Sequence, residues 1–105
     1  MILQIKEIYV EVYEALQEDI DEVLREHALK QVEQRLAAAQ QRVKRWEAKY
    51  GCDYHTFARR TATEEAYVQQ LNANSDSQMW EGDLMEWEVD AEVLAEWQSH
   101  YQKLL

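Results

Sequence analysis

No proline interrupts this chain of 105 residues, and its two glycines, Gly51 and Gly82, are the only positions where the backbone takes left-handed turns without steric cost. β-sandwiches, barrels and dinucleotide-binding folds need many tight turns built from such residues, so their scarcity argues against all three. Long helices with few connections remain. Hydrophobic residues make up 47% of the chain and include four Trp and six Tyr, more apolar and aromatic material than a disordered chain carries. The length suits one helical domain over 1–105.

Apolar spacing divides the chain further. Ile2, Ile5, Tyr9, Val12, Tyr13 and Leu16 recur in steps of one, three and four and predict a short amphipathic helix over about 2–17. Glu18, Asp19 and Asp21 then supply an N-cap and an acidic first turn, placing a boundary near 18–19 and a long helix over about 19–50. Within that helix Leu29, Val32, Leu36, Ala39, Val43, Trp46 and Tyr50 alternate steps of three and four, a coiled-coil-like seam. Gly51 closes it in the left-handed conformation, with Lys49 complementing the dipole of the last turn. Short helices are expected over about 54–71, capped by Asp53 or Thr56 and then by Thr61 or Thr63. The polar run 72–77 is loop-like, and Trp80, Leu84, Trp87, Ala91, Leu94 and Tyr101 predict a second long helix over about 78–104.

Two helices of matched length, each about 40 Å, pack most simply as an antiparallel hairpin carrying the shorter helices. Charge supports the pairing. Residues 30–49 hold Lys30, Arg35, Arg42, Lys44, Arg45 and Lys49, whereas 81–96 hold seven acids and no base. Flanking charges of this kind choose partner and orientation. They pair either within one chain or between two, and self-association, as a dimer in the simplest case, is expected.

The net charge is −10, with three bases against eleven acids in residues 51–105. Such a field repels nucleic-acid phosphate and favours encounter with a basic protein. Arg35, Arg42, Arg45 and Lys49 are more simply spent on the acidic helix than on a nucleic-acid backbone. The lone Cys52 cannot form an intramolecular disulfide, the start of the chain does not resemble a signal peptide, and no apolar run approaches the roughly 20 residues that span a bilayer. A cytoplasmic protein without membrane attachment is expected.

Catalytic and ligand chemistry is not written in the sequence. His27, His55 and His100 lie far apart, and Cys52 with His55 offers two of the four ligands that structural zinc requires. Glu96 and His100 read as a solvated i,i+4 pair, and no phosphate loop or dinucleotide fingerprint occurs. No catalytic, metal or cofactor residue is assigned, and the chain is read as non-enzymatic. Trp46, Trp80, Trp87 and Trp97 either complete the core or anchor a partner.

Three stretches carry a resemblance: Leu3-Gln4-Ile5-Lys6-Glu7 with Tyr9 and Tyr13, Lys49-Tyr50-Gly51 followed by Phe57, and Asp83-Leu84-Met85-Glu86-Trp87-Glu88. In these the chain resembles small acidic helical bacterial proteins, the antitoxins of toxin–antitoxin pairs. The resemblance implies a protein that binds and neutralises a basic toxin, with Asp83, Glu86, Trp87 and Glu88 at the contact. A homo-oligomerisation module is the alternative, and a nucleic-acid-binding regulator the third reading.

Overall fold

The computed structural model describes residues 2–105, with side chains from Tyr9 onward. It is all-α: α1 (Ile2–Tyr50), α2 (Tyr54–Thr63), α3 (Glu65–Ala73) and α4 (Trp80–Leu104). α1 and α4 form the antiparallel hairpin, and its direction is fixed by three rungs. Lys49 and Tyr50 meet Asp83, Arg42 and Trp46 meet Asp90, and the Arg25 Nε donates to the Leu104 carbonyl at 3.3 Å. The basic and acidic segments therefore meet within one chain. Along the seam Val32 and Ala39 are buried, while Leu29, Leu36, Val43, Trp46 and Tyr50 are half-buried.

The boundary expected near 18–19 is absent. α1 runs unbroken for 49 residues, because no residue there opposes helical geometry and the acids simply face water. Gln17 Nε2 even donates to Asp21 Oδ1 at 2.8 Å across the expected break. The two long helices are consequently not matched, since α4 has 25 residues. At about 1.5 Å per residue α1 spans about 74 Å and α4 about half of that. The molecule measures 83 × 19 × 19 Å, and α1 beyond Arg25 projects as an arm without a covering helix among the described residues. Tyr9, Val12, Tyr13 and Leu16 of the expected first stripe are exposed there, whereas the side chains of Ile2 and Ile5 lie outside the described residues.

The hairpin closes as the turn chemistry requires. Gly51 has φ +72°, and its N–H donates to the Glu47 carbonyl at 2.7 Å. Asp53 caps α2 by accepting from the Thr56 N–H at 2.8 Å. The second cap differs from expectation. Thr61 and Thr63 donate back to carbonyls of α2, and α3 opens instead after Glu64, which is extended at φ −112° and ψ 95°. Trp80 Nε1 donates to Asn72 Oδ1 at 2.9 Å and ties the start of α4 to the end of α3.

α2 and α3 fold over this closed end and complete an aromatic core. Phe57, Leu71, Trp80 and Trp87 are buried, with Trp46, Tyr50, Tyr54 and Tyr67 against them. Trp87 is fully enclosed: Trp46, Tyr50 and Phe57 stack on it with ring centroids at 6.3, 5.9 and 5.3 Å, and Tyr54 meets it edge-on at 5.9 Å. Its indole N–H is buried without an acceptor among the described residues. Trp87→Ala is expected to destabilise the fold by about 3–5 kcal/mol, and Trp87→Phe by much less because it also removes the unmatched donor. Urea titration followed by far-ultraviolet circular dichroism checks both, with exposed Val23→Ala as the near-neutral control at under about 0.5 kcal/mol.

Candidate functional site on the acidic face of α4

Helical geometry sorts the carboxylates of α4 into two sets. Asp83 and Asp90 are seven residues apart, two turns along one edge, and both turn onto α1. Asp83 Oδ2 accepts from Lys49 Nζ at 2.6 Å and from the Tyr50 hydroxyl at 2.5 Å. Asp90 accepts from Trp46 Nε1 at 2.8 Å, and its other oxygen lies 3.6 Å from Arg42 Nε. Partial burial pushes the Asp83 carboxyl up, but the Lys49 and Tyr50 hydrogen bonds and the Lys49 charge outweigh it and hold the group below its ordinary value. The Tyr50 hydroxyl moves the other way, raised first by burial and then by its bond to Asp83.

Glu81, Glu88, Glu92 and Glu96 form the second set, exposed along one side of α4, with Glu86 exposed beside Met85 and Val89. Where that row passes the start of α2 it borders a cleft of about 480 Å³. Val43, Ala91 and Ala95 give the cleft an apolar lining, Tyr54 and His55 stand edge-to-face beside it at 5.7 Å, and Glu47, Asp53, Glu88 and Glu92 add four carboxylates. Burial raises the Tyr54 hydroxyl, and Glu88 and Glu92 raise it further. The Thr56 hydrogen bonds at the helix cap hold Asp53 low, so that carboxylate stays ionised. An apolar lining, an aromatic ring and a concentration of negative charge suit the alkyl stem and cationic head of a lysine or arginine side chain.

The four residues expected at a partner contact thus separate. Glu86 and Glu88 are exposed, and Glu88 borders the cleft. Asp83 is occupied by Lys49 and Tyr50, and Trp87 belongs to the core, one of the two roles open to it. Glu47, Tyr54 and Glu92 join the site without having been singled out in the sequence, and Asp53, expected as a helix cap, joins it as well. The acids of 81–96, at about every second residue, read in sequence as pointing around the helix; the i,i+4 spacing of Glu88 and Glu92 is the signal that could have placed those two on one face.

Other chemistry is sparse. Cys52 is half-buried and its thiol is pushed up by burial, which keeps it protonated. No group of three or more His, Cys, Asp or Glu among the described residues has the arrangement of a metal site. Of the bases considered for nucleic acid, Arg42 and Lys49 pair with α4, and the Arg35 guanidinium lies 6.0 Å from the centre of the Trp97 ring. No described helix is long and apolar enough to cross a membrane. Comparisons with protein families, with curated proteins and with solved structures each return no match.

The pH dependence of the Asp83 rung follows from its direction of shift. A carboxyl held below its ordinary value of 3.8 stabilises the fold fully above that pH and loses the contribution as pH falls through the depressed folded value. Asp83→Asn should cost about 1–2 kcal/mol at pH 7, and the difference from the parent should shrink toward pH 2. Urea midpoints measured at both pH values check this.

Proposed function

We propose that this chain is a non-enzymatic, cytoplasmic protein-binding module for a basic partner, in its most concrete form an antitoxin-like neutraliser of a toxin. One observation carries the reading: after Asp83 and Asp90 have been spent on α1, α4 still presents an outward row of carboxylates that includes two lining an apolar cleft. Fold stability does not account for that row, because exposed acids along one side of a helix repel one another.

The mechanism has two stages. The acidic field steers a positively charged surface toward α4 and speeds encounter. A lysine or arginine of the partner then enters the cleft, its alkyl stem against Val43, Ala91 and Ala95, its charge among Glu47, Glu88 and Glu92 and its face toward Tyr54. With Trp87 enclosed, Tyr54 is the aromatic group placed to serve as an anchor.

The test is affinity capture by the tagged chain from a lysate of its own cells, washed at low and high salt. A single basic protein recovered near one-to-one is the expected result, and recovery of nothing but copies of the chain would favour the oligomerisation module instead. With that partner purified, Glu86→Lys combined with Glu88→Lys should slow association by about tenfold or more at roughly 50 mM salt, with the gap closing as salt rises. Unchanged stopped-flow association rates would remove the steering mechanism.

A further inference from the structure

The side of α4 that faces away from α1 carries an apolar surface the hairpin does not use. Met85 and Val89, one turn apart, are 69% and 57% exposed and line a shallow hollow of about 430 Å³ with Glu86 and Asp90. At about 100° per residue the line midway between them lies opposite the enclosed Trp87. Gly82 stands about 40° from that line, one turn before Met85 and Glu86. Its backbone is helical without a positive φ, and a Cβ built on it would meet nothing within 4 Å, so the fold itself does not call for glycine there. A bare backbone beside two exposed apolar side chains lets another helix approach closely, and methionine adapts to the shape of what it meets.

Charge identifies the occupant, because here the acids share the face with the apolar residues. By the same spacing Glu81, Glu88 and Glu92 flank the Met85–Val89 line at about 40–80° on one side, Glu86 flanks it at about 80° on the other, and all four are exposed. No base lies between 81 and 96, so a second copy of this face would meet it carboxylate to carboxylate. Lys103 shares the face but lies about 21 Å beyond Val89, where an antiparallel copy centred on the hollow has no α4 to meet it. An anionic membrane surface meets the same repulsion. We propose that Gly82, Met85 and Val89 form the docking surface for a basic amphipathic helix, whose apolar stripe lies on the two side chains, whose backbone approaches over Gly82 and whose flanking lysines and arginines reach the four glutamates. This rests on the reading of the chain as a binder of basic protein and deepens it: the cleft takes a single cationic side chain, and the outer face of α4 takes the helix.

A fluorescein-labelled synthetic helix of about four turns, with leucine along one stripe and lysine and arginine elsewhere, probes the full chain by fluorescence anisotropy. Its twin keeps the leucines and replaces every base by glutamate. Met85→Gln with Val89→Gln removes the apolar anchors without changing charge, and Gly82→Gln obstructs the approach with a side chain that has open space around it. Unchanged circular dichroism confirms that both outer-face variants are folded. Binding should weaken by about tenfold or more in the double variant and for the glutamate twin on the parent chain, and by about fivefold or more in Gly82→Gln. It should weaken by no more than about twofold in Glu47→Gln, which removes a cleft carboxylate on α1. Binding equal to the parent's in either outer-face variant, or by the glutamate twin, would overturn the proposal. So would sedimentation of the parent as a dimer that Met85→Gln with Val89→Gln dissociates, since the face would then belong to a second copy. Binding lost in Glu47→Gln but kept in both outer-face variants would put the peptide in the cleft, overturning the proposal while leaving the cleft reading in place. If the peptide behaves as expected and lysate capture yields no basic partner, the docking face stands and the reading of the chain as a neutraliser falls.

Discussion

Trp87 is the residue on which the closed end of the hairpin depends. Its ring is the meeting point of Trp46 and Tyr50 from α1 and of Tyr54 and Phe57 from α2. Each neighbour arrives by its own route: Trp46 and Tyr50 by the seam, Tyr54 and Phe57 by the turn that Gly51 and Asp53 define. Remove the indole and these contacts lose their common surface, and the short helices α2 and α3 lose much of what they cover. An enclosed aromatic side chain of this size contributes far more than any exposed ion pair in the molecule.

The ion pairs fix something else, the register. Asp83 and Asp90 sit two turns apart on α4 and match Lys49 and Arg42, seven residues apart on α1. Sliding α4 by one turn would misalign both rungs and leave partly buried carboxylates without donors, which costs more than the pairs themselves contribute. Tyr50 and Trp46 reinforce the same choice, because each packs on Trp87 while donating to one of these aspartates. Hydrophobic closure and electrostatic register are joined in the same two side chains.

Much of this was legible in the residues, and the exceptions have physical causes. The seam from Leu29 to Tyr50, the stop at Gly51 and the cap at Asp53 are local patterns with local consequences, and all occur. The break near 18–19 rested on capping preference alone. A residue that favours a helix start does not forbid a helix interior, and with no proline or glycine there the continuous helix wins. The role of Trp87 was open because a stripe residue looks the same whether α2 or a foreign chain covers it. The cleft was hidden for a similar reason: Glu47, Tyr54 and Glu88 come from three elements, and only the closure of the hairpin brings them together. Glu88 was reached through the acidic tryptophan segment, whereas Tyr54 had no signal distinguishing it from core.

The line on α1 that α4 follows changes character at Arg25. α4 follows a line on α1 that is apolar from Tyr50 back to Leu29 and then passes through Arg25, Glu22 and Glu18. Arg25 still offers a donor, and it holds the terminal turn of α4 at the Leu104 carbonyl. One turn further the line becomes acidic at Glu22 and Glu18, so it offers no further apolar burial along that face. The exposed stripe of the arm from Tyr9 to Leu24 lies on another face of α1, so the seam and the stripe are separate apolar surfaces of one helix.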